Sequence, residues 1–447
     1  MTKPNVVLIL TDDQNAKTLW HMGRPTGSSV YAALIKAGTT FLNSFVVCPQ
    51  CGPSRASLLT GQYPHNHGYY SNASAAPHNY QSLNETELLP VALQNAGYVT
   101  SLCGKYVNGH TLSDPIPVGW NDWHETVGGD YYNFQLNDNG AINSYSDDYL
   151  TDRVTAKAAE FINSRAGNDT PFFVSLGLPA PHAPFQAALK YKGKFGEAPA
   201  PRYPGWNAGD VSTKPAYVQA FNKFATISPS PVTWLNEVYR SQMESLMSVD
   251  EAIETVVGAL AAAGKSQNTY IIFTSDNGTM GGEWRMPFNK VVPYEPSIEV
   301  PLIIAGPGVP VELTRSEIVS TLDVTHTIMD IAGAVPLSPL DGKSLLPLLA
   351  TRAPVEFREY LLIEFMEDFM HGYPVPGTGQ PAHILRAYSG LRGNRWKYIS
   401  YNATGESEFY DLASDPYEQV NSTNASVKQS LAAMLAGVRS CVGNTCL

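Results

Sequence analysis

Positive charge is in short supply in this chain. Lysine and arginine together number 29 against 40 acidic residues, a net charge of −11 at pH 7. That deficit removes any general attraction to nucleic acid or to an anionic membrane, so no nucleic-acid partner is expected. An anionic ligand must instead be met by a local cluster of cations or by a metal. Long apolar runs are also missing, since none approaches the roughly 20 residues that span a bilayer. The opening "MTKPNVVLIL" does not read as a signal peptide, because its short apolar run leads straight into acidic residues with no small-residue cleavage site. The expectation is a secreted, lysosomal or periplasmic protein whose presequence lies outside this sequence, with the cytoplasm as the alternative.

Cysteine is sparse, with five in 447 residues, and a chain of this size does not depend on disulfides. Cys441 and Cys446 share the polar loop "SCVGNTCL" and are candidates for one small disulfide. Seven N-x-S/T sequons occur, at Asn72, Asn84, Asn168, Asn277, Asn402, Asn421 and Asn424, and they matter only in a glycosylating pathway. Composition is silent on oligomeric state.

What the chain does have is core material, 43% hydrophobic residues, arranged as strand and helix in alternation. "NVVLIL" (5–10), "YVTSLC" (98–103), "PFFVSLGL" (171–178), "YIIFTS" (270–275) and "VPLIIAG" (300–306) are continuous apolar runs suited to strands buried on both faces. Helical spacing appears over 146–165 behind a Ser/Asp cap, over 239–264 up to Gly264, and over 323–333. This order predicts a large, mostly parallel sheet sandwiched by helices, an α/β fold. The stretch 185–235 has no clear period and reads as a long surface excursion. Beyond residue 350 the texture changes to short strands joined by polar turns, with a last helix near 425–439. The expected organisation is a large α/β domain over 1–350 and a smaller C-terminal α+β domain, with an antiparallel sheet, over 351–447.

Two strands end in acidic or amide pairs, Asp12-Asp13 in "VVLILTDD" and Asp276-Asn277 in "IIFTSDNG". In an open α/β sheet the carboxyl ends of the strands form the ligand crevice. Three carboxylates and an amide oxygen gathered there call for a cation, and hard oxygen donors favour Ca2+ or Mg2+ over zinc. Lys105, Arg55, Lys290 and His182 stand at similar addresses, next to sheet strands. Each alone fits a solvated surface residue; together with a metal they would bind and polarise a tetrahedral oxyanion ester.

The segment "CGPSRASLLTG" (51–61) matches, position for position, the signature of the sulfatases: Cys, any residue, Pro, Ser, Arg, three variable residues, Leu, Thr, Gly. The resemblance extends over nearly the whole chain, through "NVVLILTDDQ", "GKYVNG", "PHAPF", "SDNGT", "KVVPYEPSIEVPLIIAGPG" and, in the C-terminal part, "LRGNRWKYISY" and "FYDLASDPYEQVN". It implies an alkaline-phosphatase-like fold and hydrolysis of a sulfate monoester on a small molecule or saccharide. Cys51 would be converted to formylglycine by a formylglycine-generating enzyme and act as nucleophile. Asp12, Asp13, Asp276 and Asn277, with an oxygen of the group at position 51, would hold Ca2+, Mg2+ being the alternative. Arg55 would steady the hydrated aldehyde, Lys105 and Lys290 would grip the sulfate oxygens, and His182 would protonate the leaving alcohol. Cys48 is then a bystander or a partner for Cys103.

The chain also departs from the family pattern. Many sulfatases carry His two residues after the Lys of the Gly-Lys element, where Val107 stands here, followed by Asn108, Gly109 and His110. "GKYVNG" is more similar to the branch of N-acetylglucosamine-6-sulfatases and arylsulfatases. Asn108 and His110 become candidates at the second hydroxyl of the nucleophile. Trp284 and Arg285 become candidate substrate contacts in a segment that lacks the branch's His-containing pattern. Two further readings are a phosphonate monoester or phosphodiester hydrolase on the same scaffold, and a non-catalytic carbohydrate-binding homologue that keeps an unmodified thiol. The negative net charge favours a small or chain-end sulfate over a long sulfated polymer.

Overall fold

The apolar run near the start forms strand β1 (Asn5–Thr11), buried along its whole length at the centre of a ten-stranded sheet. The computed structural model describes residues 2–19, 34–73, 75–224, 229–286, 290–371 and 383–446. The other strands of this sheet are β2 (Gly38–Phe45), β3 (Val99–Lys105), β4 (Asp122–Thr126), β5 (Phe134–Asp138), β6 (Ala141–Tyr145), β7 (Phe172–Gly177), β8 (Thr269–Ser275), β9 (Leu302–Ala305) and β10 (Leu313–Ser320). Their spatial order is β10-β2-β9-β8-β1-β7-β3-β4-β5-β6. Only β9 and β5 run against the rest, so the sheet is mixed and mostly parallel, as the sequence predicts.

Side chains alternate across β1, as the strand period requires. Val7 and Ile9 join a core under the helices Leu150–Asn163 and Pro229–Ala262. Val6, Leu8 and Leu10 join the opposite core, under the helices Cys51–Thr60, Leu89–Asn95 and Thr321–Ala332. At roughly 1.5–3 kcal/mol for each fully buried aliphatic side chain, these residues fix the strand whose end carries the acidic pair.

A second, antiparallel sheet runs β11-β14-β15-β16, formed by β11 (Tyr360–Phe365), β14 (Tyr388–Gly393), β15 (Trp396–Tyr401) and β16 (Ser407–Asp411). Between its first two strands β12 (Phe369–His371) pairs with β13 (His383–Leu385). The helix Ala425–Val438 packs Leu431, Leu435 and Val438 into the core shared by the small sheet and the edge of the large one.

Several expectations need correction. The run at 300–306 forms β9, but it pairs antiparallel with both β2 and β8. The helix at 150–163 is preceded by Tyr149 without a side-chain cap, not by the Ser/Asp cap expected. The excursion over 185–235 contains the helix Ala216–Phe224 and the first residues of Pro229–Ala262. Cys48 and Cys103 are both free thiols, and they lie in different cores, so they do not pair. Cys441 and Cys446 do form a disulfide. Among the described residues no helix is long and apolar enough to cross a membrane.

The two sheets meet through buried charge. Glu295 accepts from Arg392 and Lys397, Lys397 also bonds Glu418, and Tyr294 donates to Glu408. Glu299 lies one helical turn beyond Glu295. Burial first, and the Glu295 charge second, push its carboxyl up to about 7 from an ordinary 4.5, against the pull of Arg392, Lys17 and Lys397. Between those two values the folded chain holds a proton that the unfolded chain releases, so this group's contribution to stability falls as pH rises through the window. Glu299→Gln is expected to raise Tm more at pH 8 than at pH 5. An equal change at both pH values in a thermal melt would contradict the assignment.

Candidate active site

The carboxyl ends of β1 and β8 lie side by side, and backbone bonds tie them together. Asp276 N donates to Thr11 O at 3.1 Å, and Asp13 N donates to Asp276 Oδ1 at 3.2 Å. Asp13 takes a left-handed backbone (φ 66°), which turns its side chain out of the strand line and beside Asn277. Asp12, Asp276 and Asn277 are almost fully buried, at 1%, 2% and 0% exposure.

The helix Cys51–Thr60 begins at this crevice and is buried throughout, with Gly61 closing it in a left-handed cap (φ 73°). Cys51 is its first residue and therefore lies at the positive end of the helix dipole. Its Sγ is 3.5 Å from Asp12 Oδ1, 4.0 Å from Asp13 Oδ1 and 2.8 Å from Lys290 Nζ. One turn on, Arg55 Nε bonds Asp276 Oδ2 at 2.7 Å, its NH2 lies 3.5 Å from Asp12 Oδ2, and its NH1 donates to the Lys105 carbonyl at 2.9 Å. Lys105, ending β3, reaches Asp12 Oδ2 at 2.5 Å, and Lys290 reaches Asp13 Oδ1 at 2.6 Å. His182, in the loop after β7, places Nε2 3.7 Å from Asp13 Oδ2 while Nδ1 meets Ala183 O at 2.6 Å. A carbonyl can only accept, so Nδ1 carries a proton and Nε2 faces the site.

Electrostatics follow from this crowding. Burial alone would raise the Asp12 carboxyl, but Lys105, His182, Arg55 and Lys290 hold it well below the usual range. Burial, then the neighbouring Asp12 charge, raise Asp276. Burial disfavours the charged forms of Lys105 and Lys290, yet Asp12 and Asp13 respectively outweigh it and keep both ammonium groups charged. The Cys51 thiol goes the other way: burial first and Asp12 second push it up to about 12. It is therefore protonated at neutral pH and a poor nucleophile as it stands.

The sequence-predicted residues Asp12, Asp13, Cys51, Arg55, Lys105, His182, Asp276, Asn277 and Lys290 thus lie together. Among the described residues, Asp12, Asp13, Cys51 and His182 bring atoms of metal-ligand type within 4.8 Å of one another. The donor set also fits a hard cation in another respect. Asn277 Oδ1 is buried without a partner while its Nδ2 donates to Asp13 Oδ1 at 2.6 Å. Burial also removes Asn277 from the sequons with room for a glycan.

Four candidates are placed differently. His110 is buried against both oxygens of Glu125, at 2.8 and 2.9 Å, edge-on to Tyr80, Tyr106 and Trp123. It is a core histidine there, not a base at the nucleophile. Trp284 is 2% exposed, tilted against Tyr294 and covered by the Lys214 ammonium at 3.9 Å, so it offers no face to a sugar. Arg285 donates to Asn207 Oδ1 and to the Asn222 carbonyl, tying its own segment to the turn at 207 and to the helix Ala216–Phe224. Asn108 stays near the nucleophile helix: its carbonyl accepts from Tyr69 Oη at 2.7 Å, and its own Oδ1 is buried without a partner.

Sequence reasoning missed the brace around the helix start. Asn72 Oδ1 accepts from Gly52 N at 2.9 Å, Asn72 N donates to Gln50 Oε1 at 3.1 Å, and Tyr69 Oη lies over the same spot. Asn72 figures in the sequence only as a sequon, and nothing in its spacing from residue 52 betrays this contact.

Fold and site together define a hydrolase of tetrahedral oxyanion esters on an alkaline-phosphatase-like sheet. The Sulfatase family profile matches residues 4–334, and the profile described as N-sulphoglucosamine sulphohydrolase, C-terminal, matches 282–439. Human N-acetylglucosamine-6-sulfatase is 35% identical over 382 residues, 82% of this chain and 68% of its own length. The arylsulfatase of Volvox carteri is 32% identical over 501 residues, 99% of this chain and 76% of its own. A protein solved in complex with its substrate D-glucosamine-2-N,6-O-disulfate superposes with a TM-score of 0.81 at 25% identity, covering 97% of both chains. This chain belongs to the sulfatase family.

The variable position of the signature is not free here. A Cβ at residue 52 would collide with the Tyr69 hydroxyl and with Asn72 Oδ1. Gly52→Ala is expected to lower kcat on 4-nitrophenyl sulfate about a hundredfold, the scale of a misplaced reacting group. Parental kcat in that variant would show that the brace yields without moving Cys51.

Proposed function

We propose that the protein hydrolyses the sulfate monoester of a saccharide, with Cys51 in its formylglycine form as nucleophile and Ca2+ held by Asp12, Asp13, Asp276 and Asn277. The observation that carries this reading is the convergence of Lys105, Lys290, Arg55 and His182 on the acidic groups around a cysteine that starts a buried helix. When bound, the ion supplies the positive charge that lets the carboxylates share the site and draws charge off the sulfate oxygens. Oxygen donors of this kind accept Mg2+ as the alternative.

A thiol held near 12 cannot serve, whereas a hydrated aldehyde at position 51 offers two hydroxyls on one carbon. One hydroxyl would pass its proton to the adjacent Asp13 carboxylate as its oxygen attacks sulfur. The bond from sulfur to the alcohol oxygen would break, and the departing oxygen would take a proton held on His182 Nε2 while Nδ1 keeps its own. The second hydroxyl would then pass its proton to the vacated His182 Nε2 as its C=O bond re-forms. The carbon–oxygen bond to sulfate breaks with its electron pair leaving on sulfate, and water rehydrates the aldehyde. Lys105 and Lys290 hold the sulfate oxygens as charge builds on them. Arg55, engaged by Asp276, Asp12 and the Lys105 carbonyl, keeps the acidic groups in register beneath position 51.

The relatives favour a glucosamine 6-O-sulfate as the substrate to test first, and the net charge of −11 favours a chain-end or small substrate over a polyanion. The Cys441–Cys446 disulfide supports an exported protein that matures in an oxidising compartment. A formylglycine-generating enzyme is the partner this reading requires.

The mass of the proteolytic peptide containing Cys51, from protein of the natural host, tests the reading directly: an aldehyde is expected in place of the thiol. Cys51→Ala is expected to abolish turnover of sulfate esters, and His182→Ala to reduce it by about 10²–10⁴-fold, both in folded protein. Near-parental turnover in Cys51→Ala would sink the mechanism. An intact thiol without turnover would favour a carbohydrate-binding role.

A further inference from the structure

Lys290 reaches the sulfur of Cys51 from a segment whose other end is bonded to the small sheet. Lys290 Nζ lies 2.8 Å from Cys51 Sγ and 2.6 Å from Asp13 Oδ1. The next residue, Val291, donates its N–H to Pro49 O at 2.8 Å, just ahead of the cysteine. Val291 has a left-handed backbone (φ 71°), which a β-branched residue adopts only where its surroundings over-determine it.

The residues that fix this segment lie three and four positions further on. Tyr294 donates to both oxygens of Glu408, at 3.0 and 3.1 Å. Glu295 N donates to Glu418 Oε2 at 2.9 Å. The Glu295 carboxylate accepts from Arg392 NH2 on β14 at 2.9 Å and from Lys397 Nζ on β15 at 2.9 Å. Lys397 in turn bonds Glu418 Oε1 at 2.6 Å. The four charged groups are buried, none more than 8% exposed.

A buried ion pair is weak evidence for stability, because desolvation offsets much of the attraction. Charges that must pair do, however, select a single arrangement of the elements that carry them. Here they join the Lys290 segment to two strands of the small sheet. The family profile over 282–439 likewise spans that segment and the small sheet together.

We infer that Glu295, clamped by Arg392 and Lys397, is the positioning residue for Lys290, so that the small sheet acts on the reaction without touching substrate. This rests on the function proposed above, in which Lys290 grips the sulfate. A double-mutant cycle separates positioning from bulk stability. Glu295→Gln and Arg392→Lys are each expected to lower kcat/KM for 4-nitrophenyl sulfate about tenfold to a hundredfold. Each is expected to weaken binding of inorganic sulfate, read by calorimetry, in the same proportion. In a Lys290→Ala background both effects should shrink to less than about twofold, while the fall in Tm stays the same. If Glu295→Gln does not fold, Arg392→Lys, which keeps the charge and loses the fork, carries the test. Equal losses in both backgrounds, or a fall in Tm with parental kinetics and binding, would overturn the clamp. Absence of turnover in the parent chain would count against the proposed function instead, and the sulfate-binding cycle would still decide the clamp.

Discussion

Everything at the candidate site depends on holding like charges together out of water. Asp12, Asp13 and Asp276 lie at the ends of two adjacent parallel strands, where the sheet leaves them no freedom to separate. Burying one uncompensated carboxylate is costly, and burying several is prohibitive unless cations are drawn in with them. Arg55, Lys105 and Lys290 meet that demand from three other parts of the chain: a helix start, the end of β3, and the segment before β9. The acidic cluster thereby dictates where those elements come to rest. The same balance leaves cationic groups beside Cys51 Sγ, which has no charge of its own at neutral pH.

Much of this was legible in the sequence because it is written in short-range patterns. Continuous apolar runs gave β1, β3, β7 and β8, and the residue just past each run then had a predictable address at the crevice. Strands with mixed composition escaped, among them β2 ("GTTFLNSF") and the exposed edge strand β6 ("AINSY"), whose pairing is set by neighbours and not by their own periodicity. The direction of β9 escaped as well, since an apolar run looks the same in either orientation.

Side-chain roles were legible only where charge forced them. His110 and Trp284 carry chemistry that suits a site equally well as a core, and long-range partners decided the matter: Glu125 for the one, Lys214 and Tyr294 for the other. The Gln50–Asn72–Tyr69 brace is built by polar residues with no repeating pattern, brought to Gly52 by the fold of the loop that follows the helix. Contacts of this kind depend on where a turn of chain lands, which no local spacing encodes.

The helix that carries Cys51 is enclosed on every side, and the cysteine itself is 1% exposed. A macromolecular catalyst that must grasp several residues on either side of that sulfur has no access to it in the finished structure. A change at position 51 that needs such a catalyst would therefore be a matter of timing. On the function proposed above, it would have to be made while the segment is still extended, in a race against the collapse of the central sheet around it. On that reading, a molecule that closes first would be locked into whatever chemical form its cysteine then had, and the yield of active protein would become a ratio of two rates.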